Sequence, residues 1–228
     1  SNLTASDVSL RVIRNEENRG FSAAINRGVG DSKSENILLL NPDCLVFPHT
    51  IRLLSEALDA DASAGIVGGL VFNFDGSEQR GCRRREPTLV RSVGKVFQRH
   101  MFAAELNQVD MTDEPLPEKR ICVDAVSGSF LMIRRTTFSE VGGMDENFFL
   151  HFEDLDLCRR VRDVGWKVVF VPDISIFHYR GGSSEQSGHR VSWEKHRSMR
   201  RYQRKHHGRS PWLRGLVFFM VWVHFLLQ

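Results

Sequence analysis

Short apolar runs alternate with amphipathic segments along most of the chain. The run at residues 37–40 has four apolar residues without alternation, which is typical of a strand buried on both faces of a parallel sheet. Further strands are predicted at residues 10–13, 65–72, 121–126, 130–133, 166–171 and 174–178. Helices are predicted at residues 21–29, 48–60, 153–164 and 191–207.

The order of these elements predicts the fold class. Strands that alternate with helices indicate an α/β sandwich with a mostly parallel sheet. Residues 80–119 lack a clear pattern and predict a long excursion from that sandwich. A parallel α/β domain should open on a strongly apolar strand, whereas the run at residues 10–13 is weak. We therefore expect a strand–helix–strand unit of such a domain to be missing before this segment.

The charge is unevenly distributed along the chain. The 228 residues carry 31 Lys and Arg against 28 Asp and Glu, yet residues 190–214 contain nine Lys and Arg and a single acid, Glu194. A basic segment on a slightly acidic body predicts contact with membrane headgroups, nucleic acid or a phosphorylated substrate. A solvent-exposed helix face is the alternative interpretation.

Residues 216–227 form a second distinctive C-terminal feature, an apolar run interrupted by His224. Crossing a bilayer takes about 20 apolar residues, so the run is too short to do so. A truncated span, an interfacial helix and a helix packed on the domain are the three interpretations. The basic segment before the run favours membrane association. We therefore predict a domain at residues 1–189 and basic and apolar helices at residues 190–228.

Cysteine usage indicates the cellular compartment. The four cysteines stand at positions 44, 82, 122 and 158, and no pair has the C-x-x-C spacing. This wide spacing argues against a disulfide scaffold and against a cysteine-based zinc site. A reducing compartment fits best, and together with the basic segment it predicts a cytoplasmic protein at the inner face of the cell membrane.

Polar residues follow two of the predicted strands. Asn41, Pro42 and Asp43 come directly after the strand at residues 37–40, and ligands in open α/β sheets bind beyond the carboxyl ends of strands. Asp43 is therefore a candidate ligand for a hard divalent cation. His178, which closes the last predicted strand, is a second candidate ligand. The alternatives are an ordinary turn and a structural histidine.

Three acids, Glu153, Asp154 and Asp156, stand at the start of a predicted helix. Capping and the helix dipole favour acids there and explain one or two of them. The apolar residues 148–150 bury the approach to this helix and could hold a carboxylate at a cleft, where it can act as a general base. Residues 18–28 surround another helix start, whose backbone N–H groups could meet a phosphate or a sugar.

In this order the elements resemble the family 2 glycosyltransferases, and within them the rhamnosyltransferase-like branch. The resemblance covers residues 9 to 185 and rests on NRGFSAAINRGV (18–29), ILLLNPDCLV (37–46), SGSFLMIRR (127–135), GGMDENFFLHFEDLDLCRRVRDVGWKVVFVPD (142–173) and HYRGGSS (178–184). The long fourth block is the specific one. The resemblance implies a GT-A fold, which is a Rossmann-like α/β sandwich.

The resemblance also implies roles for individual residues. Asp43 would bind Mn²⁺ or Mg²⁺ with His178 as a second ligand, and Asn41 stands where other members of the family carry an acid. Asp154 would be the catalytic base, with Glu153 as the close alternative. The remaining implied contacts are Gly128 and Ser129 at the donor sugar and Asn26 at the nucleotide side.

The predicted activity is an inverting, metal-dependent transfer of a sugar from a dTDP- or UDP-sugar, with rhamnose suggested by the branch. The acceptor would be a glycan or a lipid-linked sugar in cell-surface polysaccharide synthesis. The glycine-rich residues 181–188 are predicted to form a lid over the donor. A non-catalytic module that binds a sugar or a membrane is the alternative. No nucleic-acid partner is expected, because no nucleic-acid-binding fingerprint accompanies the basic segment.

Overall fold

The computed structural model describes residues 9–87, 109–179 and 188–207 and the single residues 215 and 219. Most of the predicted lid at residues 181–188 and nearly all of the apolar run at residues 216–227 lie outside the described residues. In chain order the elements are α1 (Phe21–Gly30), β1 (Asn36–Leu40), β2 (Cys44–Val46), α2 (Thr50–Asp59), β3 (Ala64–Phe72), β4 (Arg83–Arg84), β5 (Ile121–Cys122), β6 (Ala125–Val126), β7 (Phe130–Arg134), α3 (Arg135–Glu140), α4 (Glu153–Asp163), β8 (Lys167–His178) and α5 (Gly188–His206).

One sheet of six strands organises the molecule. Its order is β1–β7–β3–β8–β2, and β5 also pairs with β8, while β4 and β6 form a separate two-stranded sheet. Among the described pairings in the large sheet, β3–β8 alone is parallel. The strand β7 pairs antiparallel with both β1 and β3, and β2 and β5 pair antiparallel with β8. The α/β fold is confirmed, but the prediction of a mostly parallel sheet is wrong.

The error has a topological reason. The helix α2 returns the chain from β1 to β3, so these two strands run in the same direction, as the alternating pattern indicates. The strand β7 comes later in the chain and lies between them in the opposite direction. A pattern of apolar residues reports that a strand is buried, and it does not report which neighbours flank that strand.

Two of the predicted strands take a different form. Residues 10–13 form no strand, and Leu10 and Val12 are exposed. The predicted strand at residues 121–126 is divided into β5 and β6, which belong to different sheets. The short elements β2, β4 and α3 were not predicted, because two to six residues give too little pattern for a periodicity argument.

The strand β8 combines two strands that were predicted separately at residues 166–171 and 174–178. Its pairing with β3 changes register between Gly69 and Leu70, which lie opposite Val171 and Ser175. Extra residues on one strand form a bulge, and a bulge is one of the few places where a sheet accommodates a proline. Pro172 therefore interrupts the pattern in the sequence without ending the strand.

Two helices cover the sheet and form the core with it. The predicted helices agree with α1, α2, α4 and α5 to within three residues at each end. The helix α2 buries Leu54 and Leu58, and α4 buries Leu157 and Val161. Both helices contact β3 and β8, and eight of the nine residues of β3 are buried. At one edge of this packed sheet, β1 and β8 end and β7 begins.

The basic helix α5 packs on this core through its polar residues. Tyr202 is fully buried, and Ser198 donates a hydrogen bond to the carbonyl oxygen of Leu150 at 2.9 Å. In the part of the chain that the structure describes, no helix combines the length and the apolar composition that a bilayer crossing requires.

Candidate active site

Most of the candidate residues meet at one edge of the large sheet. The strands β1 and β8 end at this edge and β7 begins there. The N–H of Asn41 donates to the carbonyl oxygen of Ser129 at 3.1 Å, and the N–H of Tyr179 donates to the carbonyl oxygen of Asp43 at 2.9 Å. In β2, Cys44 lies directly opposite His178. Backbone pairing thus brings Asn41, Asp43, Ser129 and His178 together, as the rule for strand ends suggests.

The ring of His178 is oriented by Gln79, a buried residue that the sequence did not reveal. Gln79 Nε2 donates to the carbonyl oxygen of His178 at 3.2 Å and to Asn73 Oδ1 at 3.0 Å. The Gln79 amide oxygen is therefore the acceptor facing His178, and it lies 2.7 Å from Nδ1. Nδ1 must carry the hydrogen of this bond, which leaves Nε2 as the ring nitrogen that can bind a metal.

The surroundings of Nε2 fit a divalent cation. Nε2 lies 3.1 Å from Asp43 Oδ1 and 3.3 Å from Asn41 Nδ2. Asn41 can donate a hydrogen, but the contact with the carboxylate joins two atoms that each carry a lone pair. That contact is attractive only when a proton or a metal cation lies between the two atoms. An imidazole nitrogen and a carboxylate oxygen are both ligands for Mn²⁺, and the carboxylate also suits Mg²⁺.

Cys44 is a third potential ligand in this cluster. The ligand atoms of Asp43, Cys44 and His178 all lie within 4.8 Å of one another. Burial, and next the charge of Asp43, raise the pKa of the Cys44 thiol to about 11. Without a metal the thiol therefore keeps its proton, whereas metals bind the thiolate. Asp43 and His178 are the candidate ligands that the sequence also indicates, and Cys44 lies beside them.

Asp154 lies at the same edge with its carboxylate held by four donors. Arg84 Nη2 donates to Oδ2 at 2.6 Å and Arg84 Nη1 to Oδ1 at 3.3 Å. The N–H of Gly128 donates to Oδ2 at 3.0 Å, and the N–H of Leu155 to Oδ1 at 2.8 Å. Burial by itself would raise the pKa of Asp154, but Arg84 and these N–H groups outweigh it and lower the pKa below its usual value. Asp154 is therefore ionised, and its four lone-pair positions are occupied.

Gly128 and Ser129 connect Asp154 to the cation site. Gly128 bonds Asp154 through its N–H, and the next residue, Ser129, bonds Asn41 through its carbonyl oxygen. A Cβ atom at residue 128 would lie 3.1 Å from the Cβ of Asp154, so glycine permits this close approach. The candidate base and the candidate metal ligands thus form one continuous site.

Glu153, the alternative base, has a different environment. Its side chain is buried, and among the described residues none hydrogen-bonds its Oε2. Burial, and then the charge of Asp154, raise the pKa of Glu153 to about 8. Glu153 is thus mostly protonated at neutral pH, whereas Asp154 is ionised. The neighbouring residues His151 and Phe152 both have positive φ, which is rare for residues with side chains and is concentrated at functional sites.

The capping explanation of the three acids is not supported. The N-cap of α4 is Phe152, and no side chain caps the helix. Asp154 instead bonds Arg84, and Asp156 bonds Arg160, Lys205 and His206. All three acids lie in the first turn, where the helix dipole favours them. The contacts of Asp154 with Arg84 and of Asp156 with Lys205 and His206 are tertiary, whereas Asp156–Arg160 is a pair within α4.

We predict that Glu153→Gln removes a pH dependence of stability. Between pH 4.5 and 8 the folded protein keeps the Glu153 proton that the unfolded chain loses. The folded state then binds more protons, so stability falls as the pH rises through this window. From pH 6 to 8 the wild type should lose about 2 kcal/mol more of its free energy of unfolding than Glu153→Gln. Urea denaturation at pH 6, 7 and 8 measures this, with Glu56→Gln, an exposed acid, as the control. Parallel curves for wild type and Glu153→Gln would contradict the raised pKa.

Among the described residues, Asn26 forms its hydrogen bonds with Met144 and Glu146 rather than with the other candidate residues. Its Nδ2 donates to the carbonyl oxygen of Met144 at 2.9 Å and to Glu146 Oε1 at 3.0 Å, and its Oδ1 accepts from the N–H of Met144 at 2.8 Å. These bonds clamp α1 to the loop that precedes α4. The implied contact of Asn26 with a nucleotide stays a prediction, while its contacts in the structure are those of a structural residue.

Comparisons with known proteins agree with this architecture. The family described as "Glycosyltransferase like family 2" matches residues 3–203. An N-acetylglucosaminyl-diphospho-decaprenol L-rhamnosyltransferase of Mycobacterium tuberculosis is 29% identical over 77% of the chain and 61% of its own length. A low-salt glycan biosynthesis hexosyltransferase of Haloferax volcanii is 28% identical over 64% of the chain and 44% of its own length. The chain thus spans less than two thirds of these relatives.

Two solved structures share the fold. A mannosyltransferase of Pyrobaculum calidifontis, solved with GDP-mannose and Mn²⁺, has a TM-score of 0.56 at 14% identity, over 96% of the chain and 54% of that structure. GalNAc-T7, solved with UDP, GalNAc and Mn²⁺, has a TM-score of 0.55 at 16% identity, over 82% of the chain and 35% of that structure. The GT-A fold expected from the sequence is confirmed.

Proposed function

Because the chain belongs to glycosyltransferase-like family 2, we propose that it transfers a sugar from a nucleotide-diphosphate donor to an acceptor hydroxyl. The observation that carries the proposal is the continuous site from Asp43 and His178 through Gly128 and Ser129 to the ionised Asp154. In a single displacement at an anomeric carbon, a carboxylate base can take the proton of the acceptor and a metal can offset the charge of the departing diphosphate.

In the proposed mechanism Asp154 accepts the proton of the acceptor hydroxyl as that oxygen attacks the anomeric carbon. The attack comes from the face opposite the leaving nucleotide, so the configuration is inverted. Asp43 and His178 would hold Mn²⁺ or Mg²⁺, whose charge offsets that of the departing diphosphate. Arg84 keeps Asp154 ionised before the reaction, and one of its bonds must open before the carboxylate can receive a proton.

We propose a dTDP- or UDP-sugar as donor, with rhamnose as the sugar, and a lipid-linked or glycan acceptor in cell-surface polysaccharide synthesis. The name of the mycobacterial relative supports both an L-rhamnosyl donor and a diphosphate-linked lipid acceptor. The structural neighbours were solved with Mn²⁺ and with guanine or uracil nucleotides, which supports a metal-bound nucleotide donor.

We also propose that the protein works at the cytoplasmic face of the cell membrane. The basic helix α5 supports this, since juxtamembrane lysines and arginines are attracted to anionic headgroups. Flotation of the full-length protein with neutral and with phosphatidylglycerol vesicles tests the proposal. Equal recovery with both vesicle types would contradict it.

The donor site is tested by calorimetric titration of dTDP, UDP and GDP, each with and without Mn²⁺. We expect Mn²⁺-dependent binding of one nucleotide, and Asp43→Ala should weaken it about 10- to 100-fold. Gln79→Leu leaves both ligands in place but frees the His178 ring, so it should weaken binding about tenfold. Asp113→Ala removes an exposed acid and serves as the control. If no nucleotide binds to the folded full-length protein, the transferase proposal fails and the non-catalytic module is favoured.

A further inference from the structure

A basic pocket lies between α5 and the loop that leads into α4. Its volume is about 430 Å³, and its lining residues are Asn147, Arg197, Arg200, Arg201, Arg204 and Lys205. The five cationic residues are spaced three, four, seven and eight positions along α5 from Arg197, so they share one face of the helix. Five cations around one concavity predict an anionic ligand with several oxygens.

Two of these cations are held in place by the opposite wall. Arg201 Nη2 bonds both oxygens of Asp145, at 2.8 and 3.0 Å, and Lys205 Nζ bonds the same carboxylate at 2.8 Å. Both groups also lie over the ring of Phe148, at 5.3 and 5.8 Å from its centre. Side chains that are already ordered lose less conformational entropy when a ligand binds, so Arg201 and Lys205 are preorganised.

The helix that lines the pocket is strongly basic. The helix α5 carries seven Lys and Arg and a single acid, Glu194, which contacts Arg197 at 3.5 Å. The residues from Arg197 to Lys205 cover about 12 Å of helix at 1.5 Å per residue. Five cationic side chains suit two linked phosphates better than one, because a diphosphate carries more charge and more acceptor oxygens. A concave site also favours a discrete group over a flat lipid surface.

The position of the pocket relates it to the acceptor. Asn147 lines the pocket, and the same loop runs through Leu150 and Phe152 to Asp154. The helix α5 clamps this loop, since Ser198 bonds the Leu150 carbonyl oxygen and the Tyr202 ring lies 5.8 Å from that of Phe152. A ligand anchored in the pocket therefore lies beside the loop that leads to the proposed catalytic base in α4.

We propose that this pocket binds the diphosphate group through which a lipid carries the acceptor sugar. The inference rests on the proposed function, in which the cation held by Asp43 and His178 binds the diphosphate of the donor. The diphosphate of the acceptor would bind separately, at α5. Arg200 and Arg204, which are exposed and line the pocket, supply charge and bidentate donors for it.

The test measures binding of farnesyl diphosphate to the full-length protein and to the double variant Arg200→Gln/Arg204→Gln. We expect the double variant to weaken binding by about tenfold or more, since each lost contact is a charge-assisted hydrogen bond. The matched control is Arg11→Gln/Arg52→Gln, which removes the same charge from exposed ion pairs elsewhere and should leave the affinity unchanged. Farnesyl monophosphate should bind the wild type more weakly than the diphosphate.

Other outcomes separate the possible sources of phosphate. If the wild type binds farnesyl monophosphate and farnesyl diphosphate equally well, and the double variant loses as much affinity for phosphatidylglycerol vesicles as for farnesyl diphosphate, the proposal is wrong. The pocket then binds lipid headgroups. Competition by UDP that disappears in the double variant would assign the pocket to the donor and also overturn it. Unchanged farnesyl diphosphate affinity in the double variant, with Mn²⁺-dependent nucleotide binding intact, would refute the pocket and leave the transferase proposal standing. If the double variant loses farnesyl diphosphate binding while the wild type binds no nucleotide, the pocket stands as a diphosphate site and the transferase proposal fails.

Discussion

Asp154→Asn is expected to lower kcat about 10³-fold and to leave nucleotide affinity within about threefold of the wild type, because a positioned general base contributes roughly 10²- to 10⁴-fold. The amide occupies nearly the same volume, and its oxygen in the place of Oδ2 can still accept from Arg84 Nη2 and Gly128. Its NH2 group cannot accept the bond from Leu155, and the amide cannot take up a proton. The effect should therefore fall on the chemical step. Steady-state turnover of the full-length protein and calorimetric titration of its donor nucleotide measure the two quantities.

Glu153→Gln is the matched control for this experiment. It changes the adjacent carboxyl group in the same way, and we expect it to reduce kcat by less than about tenfold. If Glu153→Gln causes the larger loss, the base is Glu153 and Asp154 is its positioning residue. If both variants keep wild-type turnover, or if neither the variants nor the wild type turn over, the proposed chemistry is wrong.

Asp156→Ala is expected to cost about 3–5 kcal/mol of unfolding free energy, the usual effect of removing one partner from a buried charge network. The Asp156 side chain is fully buried. It contacts Arg160 at 2.8 Å, Lys205 at 2.7 Å and His206 at 2.8 Å. Without the carboxylate, three cationic or polar groups from α4 and α5 remain together without their shared acceptor.

Urea denaturation and hydrogen exchange measure this prediction. Exchange in α5 should increase more than exchange in β3, because Asp156 holds the end of α5 to α4. Asp163→Ala is the control on the same helix, since its half-exposed carboxylate pairs with Arg159 and should contribute less than about 1 kcal/mol. Equal losses in the two variants would contradict a special role for Asp156.

The sequence was most informative where function follows from strand ends. Asp43 and His178 are 135 residues apart, yet each follows an apolar strand, and the rule that ligands bind at the carboxyl ends of strands predicts that they meet. Glu153 and Asp154 were found in the same way, as acids after an apolar run. The helices α1, α2 and α4 were placed because ten or more residues give a clear period.

The partners of these residues could not be predicted. Arg84 belongs to a triple of arginines in a stretch without pattern, and the three side chains go to different acids. Arg83 pairs with Glu78, Arg84 with Asp154 and Arg85 with Glu114. Gln79 similarly reaches His178 across 99 positions. Such pairings are set by tertiary packing, and a single sequence contains no local signal for them.

The saturated carboxylate of Asp154 has a consequence for unwanted hydrolysis of the donor. Water is the competitor of every acceptor hydroxyl, and it becomes a strong nucleophile when a base can take its proton. An Asp154 whose lone pairs are all directed at Arg84, Gly128 and Leu155 has none to offer a stray water molecule. Under the proposed mechanism, an acceptor that displaces one of these donors would gain access to the base. The resting hydrogen bonds of Asp154 would then favour the acceptor over water as the nucleophile.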